Sequence, residues 1–255
     1  MVTGHDLSGL RALGMWEAWQ HTVIAGLPNF ARCPLYVNQT AVTLEEVETA
    51  LAGLGEIYDP MGMTRDVEHG ARVFETIRGP VTRMWVDGNV EIGFLARTLP
   101  MWLRGLTVLD VGAGYGRLAV MLSPLVQSYV CVDPVPVSVK VCREYTQRYA
   151  PAVRVLDVAQ LIAEIPAQRP TLAINIHSWN ECSPEQISLW LDALEEMSVL
   201  YLFTVSHGPD TDFYPTWQEG ASGFKPLLQA RYDVVAEASL GIGSSPHVLW
   251  RRRAA

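Results

Sequence analysis

The sequence predicts an α/β fold, a mainly parallel sheet with helices on both faces, preceded by a helical region. Three observations predict it. From about residue 105 onward, short β-branched or apolar runs alternate with helical segments, the pattern of a parallel sheet covered on both sides. The last two strand-like runs, 232–238 and 247–251, are separated by a short Gly/Ser/Pro turn. They read as an antiparallel hairpin, because a parallel crossover needs about a dozen residues or more. Before residue 105 the apolar residues recur at helical spacing and little reads as strand. The expected division is 1–104, an N-terminal helical cap and substrate region, and 105–255, the sheet domain. The 255 residues, 49% of them apolar, suffice for one such core and its addition.

In chain order, Leu7, Leu10, Leu13, Trp16, Ala18 and Val23 fall roughly on one helical face. Thr43-Leu44-Glu45-Glu46 has the form of a capping box and predicts a helix over 44–57, with Val47, Leu51 and Leu54 on one side. Further helices are expected over 65–78 and 88–98, the latter carrying Val90, Phe94 and Leu95. Strands follow at 107–111, 129–132, 153–156, 171–176 and 200–205, with helices at 117–125, 136–149 and 158–165 between them. Ser183-Pro184-Glu185-Gln186 starts another helix, with Ser at the N-cap and Pro at the first helical position.

Composition excludes several classes of function. The formal charge is −8 and the pI about 5.2, which suits a phosphate backbone poorly, since nucleic-acid affinity comes from clustered Lys and Arg. Only Lys140 and Lys225 are lysines, and the one basic cluster, Arg251-Arg252-Arg253, reads as a solvated tail. The four cysteines, Cys33, Cys131, Cys142 and Cys182, show no zinc-ligand spacing and read as reduced thiols. Residues 1–6 lack a basic region followed by an apolar run, and no window holds 18 uninterrupted apolar residues. Neither a signal peptide nor a membrane span is expected, and the location expected is cytoplasmic.

The segment that carries the chemistry is Asp110-Val111-Gly112-Ala113-Gly114-Tyr115-Gly116-Arg117, at the end of the first sheet strand and opening a helix. Glycines there let the backbone turn sharply and approach a ligand closely. Twenty-three residues after Asp110, the second strand ends in Asp133, placed to accept the ribose hydroxyls of an adenosine. Dinucleotide enzymes use Gly-x-Gly-x-x-Gly, but here the spacing is Gly-x-Gly-x-Gly, with Arg117 at the third dinucleotide glycine. A carboxylate just before the first Gly disfavours a pyrophosphate and suits the ammonium of an amino-acid tail. Asp-x-Gly-x-Gly-x-Gly resembles the first motif of class I S-adenosylmethionine-dependent methyltransferases, over about 105–253. The resemblance implies a Rossmann-like sheet of seven strands with the last antiparallel, and S-adenosylmethionine as cofactor. It implies that Asp110, Gly112, Gly114 and Gly116 line the methionine portion, that Asp133 holds the ribose, and that Asp157 and Val158 lie at the adenine.

The fourth strand ends in Asn175-Ile176-His177-Ser178-Trp179-Asn180-Glu181, beyond the carboxyl end where ligands of open α/β sheets bind. It lacks the Asp/Asn-Pro-Pro-Tyr pattern of amide and base N-methyltransferases. A hydroxyl is a poor nucleophile at neutral pH, and His177 is a suitable base for it, with Glu181 four residues on to orient the ring or bind a hydroxyl. His177 also reads as a strand-end histidine bonded to backbone, and Glu181 as a carboxylate approaching a helix N-terminus. The segment is similar to the His-Ser-aromatic-x-Glu stretch of bacterial sugar O-methyltransferases, which implies a sugar or glycan acceptor, such as a mannoside or glucoside of polysaccharide biosynthesis. In the loop 207–217, Tyr214 and Trp217 are suited to stack on a sugar ring. His207, Asp210 and Asp212 can bind a divalent metal such as magnesium, and read equally as an Asp-rich surface turn. Met61, Met63 and Trp85 suit a lid or ordinary packing. His247 is given no role. The rival readings are a natural-product O- or N-methyltransferase and a non-catalytic S-adenosylmethionine-binding regulatory partner. The Trp-rich N-terminal region suits a homodimer contact as well as a cap.

Overall fold

The computed structural model describes residues 42–69, 71–164, 169–206 and 223–253. The first helix, α1 (Leu44–Ala52), starts on the expected capping box: the Glu46 N–H donates to Thr43 Oγ1 and the Thr43 N–H to Glu46 Oε2. It stops five residues before the expected end, because Gly53 and Gly55 follow and Gly53 caps it.

The helix expected over 65–78 is not there. Residues 65–69 form one 3-10 turn, and β1 (Val73–Thr76) and β2 (Gly79–Thr82) form an antiparallel hairpin. Gly79 sits at φ +99° and Pro80 follows it, a pair that supports a tight turn and opposes a helix. Phe74 pairs with Val81 across the hairpin, both buried. The next helix, α2 (Arg83–Thr98), begins five residues earlier than 88, with Thr82 as its cap. Gly88 lies in its interior because α3 approaches there: a Cβ would come within 2.4 Å of the Met121 sulfur.

The remaining elements are β3 (Thr107–Val111), α3 (Arg117–Leu122), β4 (Ser128–Asp133), α4 (Pro136–Tyr149), β5 (Arg154–Asp157), α5 (Val158–Glu164), β6 (Leu172–Ile176), α6 (Pro184–Glu196), β7 (Tyr201–Val205), α7 (Lys225–Gln229), β8 (Tyr232–Leu240) and β9 (Ser245–Arg252). They build one seven-stranded sheet in the order β5-β4-β3-β6-β7-β9-β8. All neighbouring pairs are parallel except those of β9, which runs antiparallel to β7 and β8. The terminal hairpin turns through Gly241, Gly243 and Ser244, all at positive φ. Arg251 and Arg252 belong to β9, and Arg253 pairs with Asp233, so the basic cluster is the end of an interior strand and not a free tail.

One apolar cluster joins α1 and α2 to α3 and to one face of the sheet, through Trp85, Ile92, Phe94, Leu118, Phe203 and Leu249. A second lies between the other face and α5, α6 and α7, through Leu161, Trp190, Leu194, Phe224 and Trp250. Residues on both sides of position 105 therefore share one core. Trp85 and Met63 pack against it, whereas Met61 is 93% exposed. Cys131 and Cys142 are buried free thiols, and Cys182 is a half-buried one. Among the described residues, no helix is long and apolar enough to cross a membrane. The expected helix around Leu7 to Val23, and Cys33, lie outside the described residues.

Candidate functional site

The carboxyl ends of β3, β4 and β6 bring the sequence motifs together. After β3 the chain passes through Gly112, Gly114 and Gly116 at φ +72°, +57° and +88°, a region that only glycine enters cheaply. Gly112 donates to the Val132 carbonyl at 2.8 Å, and Gly114 donates to Asp133 Oδ2 at 3.0 Å. Asp133 Oδ1 accepts the Val135 N–H at 2.8 Å. Each carboxylate oxygen retains acceptor capacity after one such bond. Asp133 is 6% exposed, and burial pushes its carboxyl up to about 7 against the two N–H groups, which lower it.

Asp110 lies one residue before the end of β3, on the face covered by α2 and α3. Its Oδ2 accepts the Tyr129 hydroxyl at 2.8 Å, and burial raises it to about 6. Asp157 lies beside Asp133 in the β4–β5 register and caps α5: Oδ1 accepts the Gln160 N–H at 2.8 Å, and Gln160 reaches back to the Asp157 N–H. Val158, the first residue of α5, is buried.

Asn175, buried at the end of β6, fastens this strand to the glycine loop. Its Nδ2 donates to the Val111 carbonyl at 2.9 Å and to Ser178 Oγ, while Oδ1 accepts the Trp179 N–H at 3.1 Å. His177 turns the chain at φ +64°, rare for a non-glycine residue, and donates its N–H to the Val205 carbonyl. Glu181 closes the 3-10 turn Ser178–Glu181, four residues beyond it. A Cβ on Gly112 would lie 2.1 Å from Ser178 Oγ. Gly112→Ala is therefore expected to cost about 3 kcal/mol, from the left-handed backbone and the overpacking together. Urea denaturation checks it, and a change under about 1 kcal/mol would show that the turn yields.

His177 also lines a small, partly open cleft. It is lined by α2 (Arg83, Asp87, Val90, Glu91), the β8–β9 turn (Gly241, Ile242), the start of β9 (Ser245, His247) and Val205. Glu91 is buried and its Oε1 pairs with Arg117 at 2.8 Å. Burial raises this carboxyl to about 7 in spite of that guanidinium. Burial likewise holds His247 below its ordinary value. Glu91, Asn175 and His247 were not picked out from sequence. The available signals were a glutamate inside the otherwise apolar run Val90 to Leu95, and a histidine inside the apolar run Pro246 to Trp250. Tyr214, Trp217, His207, Asp210 and Asp212 lie outside the described residues. Among the described residues, no group of three or more His, Cys, Asp or Glu is placed to hold a metal.

No protein-family model and no curated protein matches the chain. Solved structures do. The magnesium protoporphyrin IX methyltransferase of Synechocystis PCC 6803, crystallised with bound SAM, aligns over 99% of this chain and 100% of its own, at TM-score 0.51 and 14% identity. A SAM-dependent methyltransferase from Aquifex aeolicus aligns over 60% of this chain and 85% of its own, at TM-score 0.48 and 19% identity. A phosphoethanolamine N-methyltransferase of Haemonchus contortus aligns over 63% and 41%, at TM-score 0.46 and 14% identity. The seven-stranded sheet, its strand order and its single antiparallel strand are those of the class I methyltransferase fold.

Proposed function

We propose that the chain is an S-adenosylmethionine-dependent O-methyltransferase that acts on a hydroxyl of a sugar or oligosaccharide, such as a mannoside or glucoside. The observation that carries this reading is the stapling of the His177 turn to the glycine loop by Asn175 and Ser178. It ties the backbone turn that carries His177 to the strand end that opens the glycine loop. The residues fit the cofactor: three glycines at positive φ let the loop turn tightly, the Gly114 Cβ position faces open space, and Asp133 offers carboxylate lone pairs at the adjoining strand end.

When bound, S-adenosylmethionine supplies a methyl carbon made electrophilic by its sulfonium. The chain's own residues do the rest. Asp133 accepts the ribose hydroxyls, Asp110 contributes negative charge near the amino-acid tail, and Asp157 and Val158 border the adenine. His177 removes the acceptor hydroxyl proton as the oxygen attacks, with Glu181 as its partner in orienting ring or acceptor. Holding the two reactants in line contributes much of the acceleration. Helix α2 borders the acceptor side of the cleft. The polar lining of the cleft, Arg83, Asp87, Glu91, His177, Ser245 and His247, favours a hydroxylated acceptor over an apolar one.

The test is S-adenosylhomocysteine release from S-adenosylmethionine with a panel of methyl glycosides, oligosaccharides, phenols and amines. Turnover with glycosides alone is expected; turnover only with amines or phenols would overturn the sugar assignment, and cofactor binding without any turnover would favour a regulatory partner. Cofactor affinity is also expected to depend on pH. Burial pushes the Asp133 carboxyl up to about 7, and ribose hydroxyls donating to it stabilise the ionised form. Binding therefore releases a proton, and affinity rises as pH increases through about 7, by up to about tenfold per unit below it. In the unliganded protein the sign is opposite. A raised carboxyl favours the folded state below its unfolded pKa, and that contribution is lost as pH rises through about 7. Calorimetry of S-adenosylhomocysteine between pH 5.5 and 8.5, in two buffers of different ionisation enthalpy, measures affinity and proton release, thermal denaturation without ligand over the same range measures stability, and a flat affinity profile would contradict the role of Asp133.

A further inference from the structure

The mechanism above leaves two polar groups of the cleft without a task, His247 and Glu91. His247 pairs with Val205 across β7 and β9, while His177 donates its N–H to the same Val205, so the two histidines flank the end of β7. The His247 ring packs against Phe94 and Phe203, and its Nδ1 lies 2.7 Å from the Ser245 carbonyl. A carbonyl can only accept, so Nδ1 carries the proton of the neutral ring and Nε2 carries a lone pair. Burial, which disfavours the imidazolium, keeps the ring neutral.

Glu91 presents the same kind of group from the opposite wall. Arg117 occupies Oε1, but Oε2 is buried with no hydrogen-bond partner. A buried acceptor without a donor is costly, and such groups in native proteins commonly mark a ligand or a water. The wall carries little net charge, because Arg83 pairs with Asp87 and Arg117 with Glu91. A complementary ligand therefore brings hydrogen-bond donors on both sides and no formal charge. Carboxylates and phosphates bring no donors, and hydroxyl groups of a neutral carbon skeleton meet both requirements.

We propose that His247 Nε2 and Glu91 Oε2 form a two-point clamp for the hydroxyls of a neutral polyol, and so select which further hydroxyl reaches His177. The clamp rests on the reading of this cleft as the acceptor site, and it adds the two residues that set acceptor class. Both are positioning residues: neither takes the reacting proton.

The test is binding rather than turnover. Methyl α-D-mannopyranoside, methyl α-D-glucopyranoside and their monodeoxy analogues are titrated by ligand-observed NMR into protein saturated with S-adenosylhomocysteine. The parent glycosides are expected to bind, at least one deoxy analogue to bind about tenfold more weakly, and His247→Phe and Glu91→Gln each to weaken the parent by about tenfold, the size of one lost hydrogen bond. Long-range nitrogen–proton spectra of the wild type supply a second measurement that needs no variant. They should show Nε2 of His247 unprotonated and shifting when methyl α-D-mannopyranoside is added. Equal affinity of both variants and the wild type, an unmoved Nε2 signal, or binding of methylamine in place of every glycoside would overturn the clamp. S-adenosylhomocysteine affinity is measured on each variant as well. Values within about threefold of the wild type leave the methyltransferase reading standing whether or not the clamp survives.

Discussion

Asp133→Ala is expected to weaken S-adenosylhomocysteine binding by about 100-fold or more. Two hydrogen bonds to a charged acceptor, each contributing roughly 1.5–3 kcal/mol, account for that size. The loop itself should persist, because Gly112 and Ala113 also donate to the Val132 carbonyl, independently of Asp133. The Gly114 and Val135 N–H groups lose their acceptor, so a modest loss of stability is expected beside the large loss of affinity. Asp133→Asn separates the two effects, since the amide oxygen can still accept one of these bonds. Calorimetry checks affinity and thermal denaturation checks stability. Comparable affinity in Asp133→Ala would remove this carboxylate from the binding site.

His177→Asn is expected to lower turnover by about 10²- to 10⁴-fold, the usual contribution of a positioned general base, while S-adenosylhomocysteine affinity changes by less than about twofold. Asparagine suits this experiment better than alanine because residue 177 sits at φ +64°, and asparagine tolerates the left-handed region. His177→Ala should be equally inactive and slightly less stable. Turnover is read as product formed with a glycoside acceptor at saturating cofactor. Activity retained in both variants would take His177 out of the mechanism and leave it as a turn residue bonded to Val205.

The glycine turn and the strand-end aspartate were legible in the sequence because their requirements are local. A glycine at positive φ, an aspartate at a strand end and a turn too short for a crossover each leave a mark within a few residues. Gly112, Gly114, Gly116 and Asp133 were named from such marks, as was the antiparallel hairpin of β8 and β9. Glu91 and His247 were not legible, because they meet only in the tertiary structure. Glu91 comes from α2 and His247 from β9, 156 positions apart in the chain, and nothing near either one announces the other. The hairpin of β1 and β2 was missed for another reason. Its strands, Val73–Thr76 and Gly79–Thr82, are 4 residues each, too short for an alternating pattern to stand out. The early start of α2 was hidden by Gly88, which weakens helix propensity and is there to admit Met121 of α3.

The central claim is that the glycine loop and Asp133 bind the nucleoside of S-adenosylmethionine and not a dinucleotide. Isothermal calorimetry of the wild-type protein with S-adenosylhomocysteine and, separately, with NAD at pH 8 tests it most directly. The account predicts saturable binding of S-adenosylhomocysteine and no heat of binding from NAD. Binding of NAD alone, or of neither ligand, would contradict it.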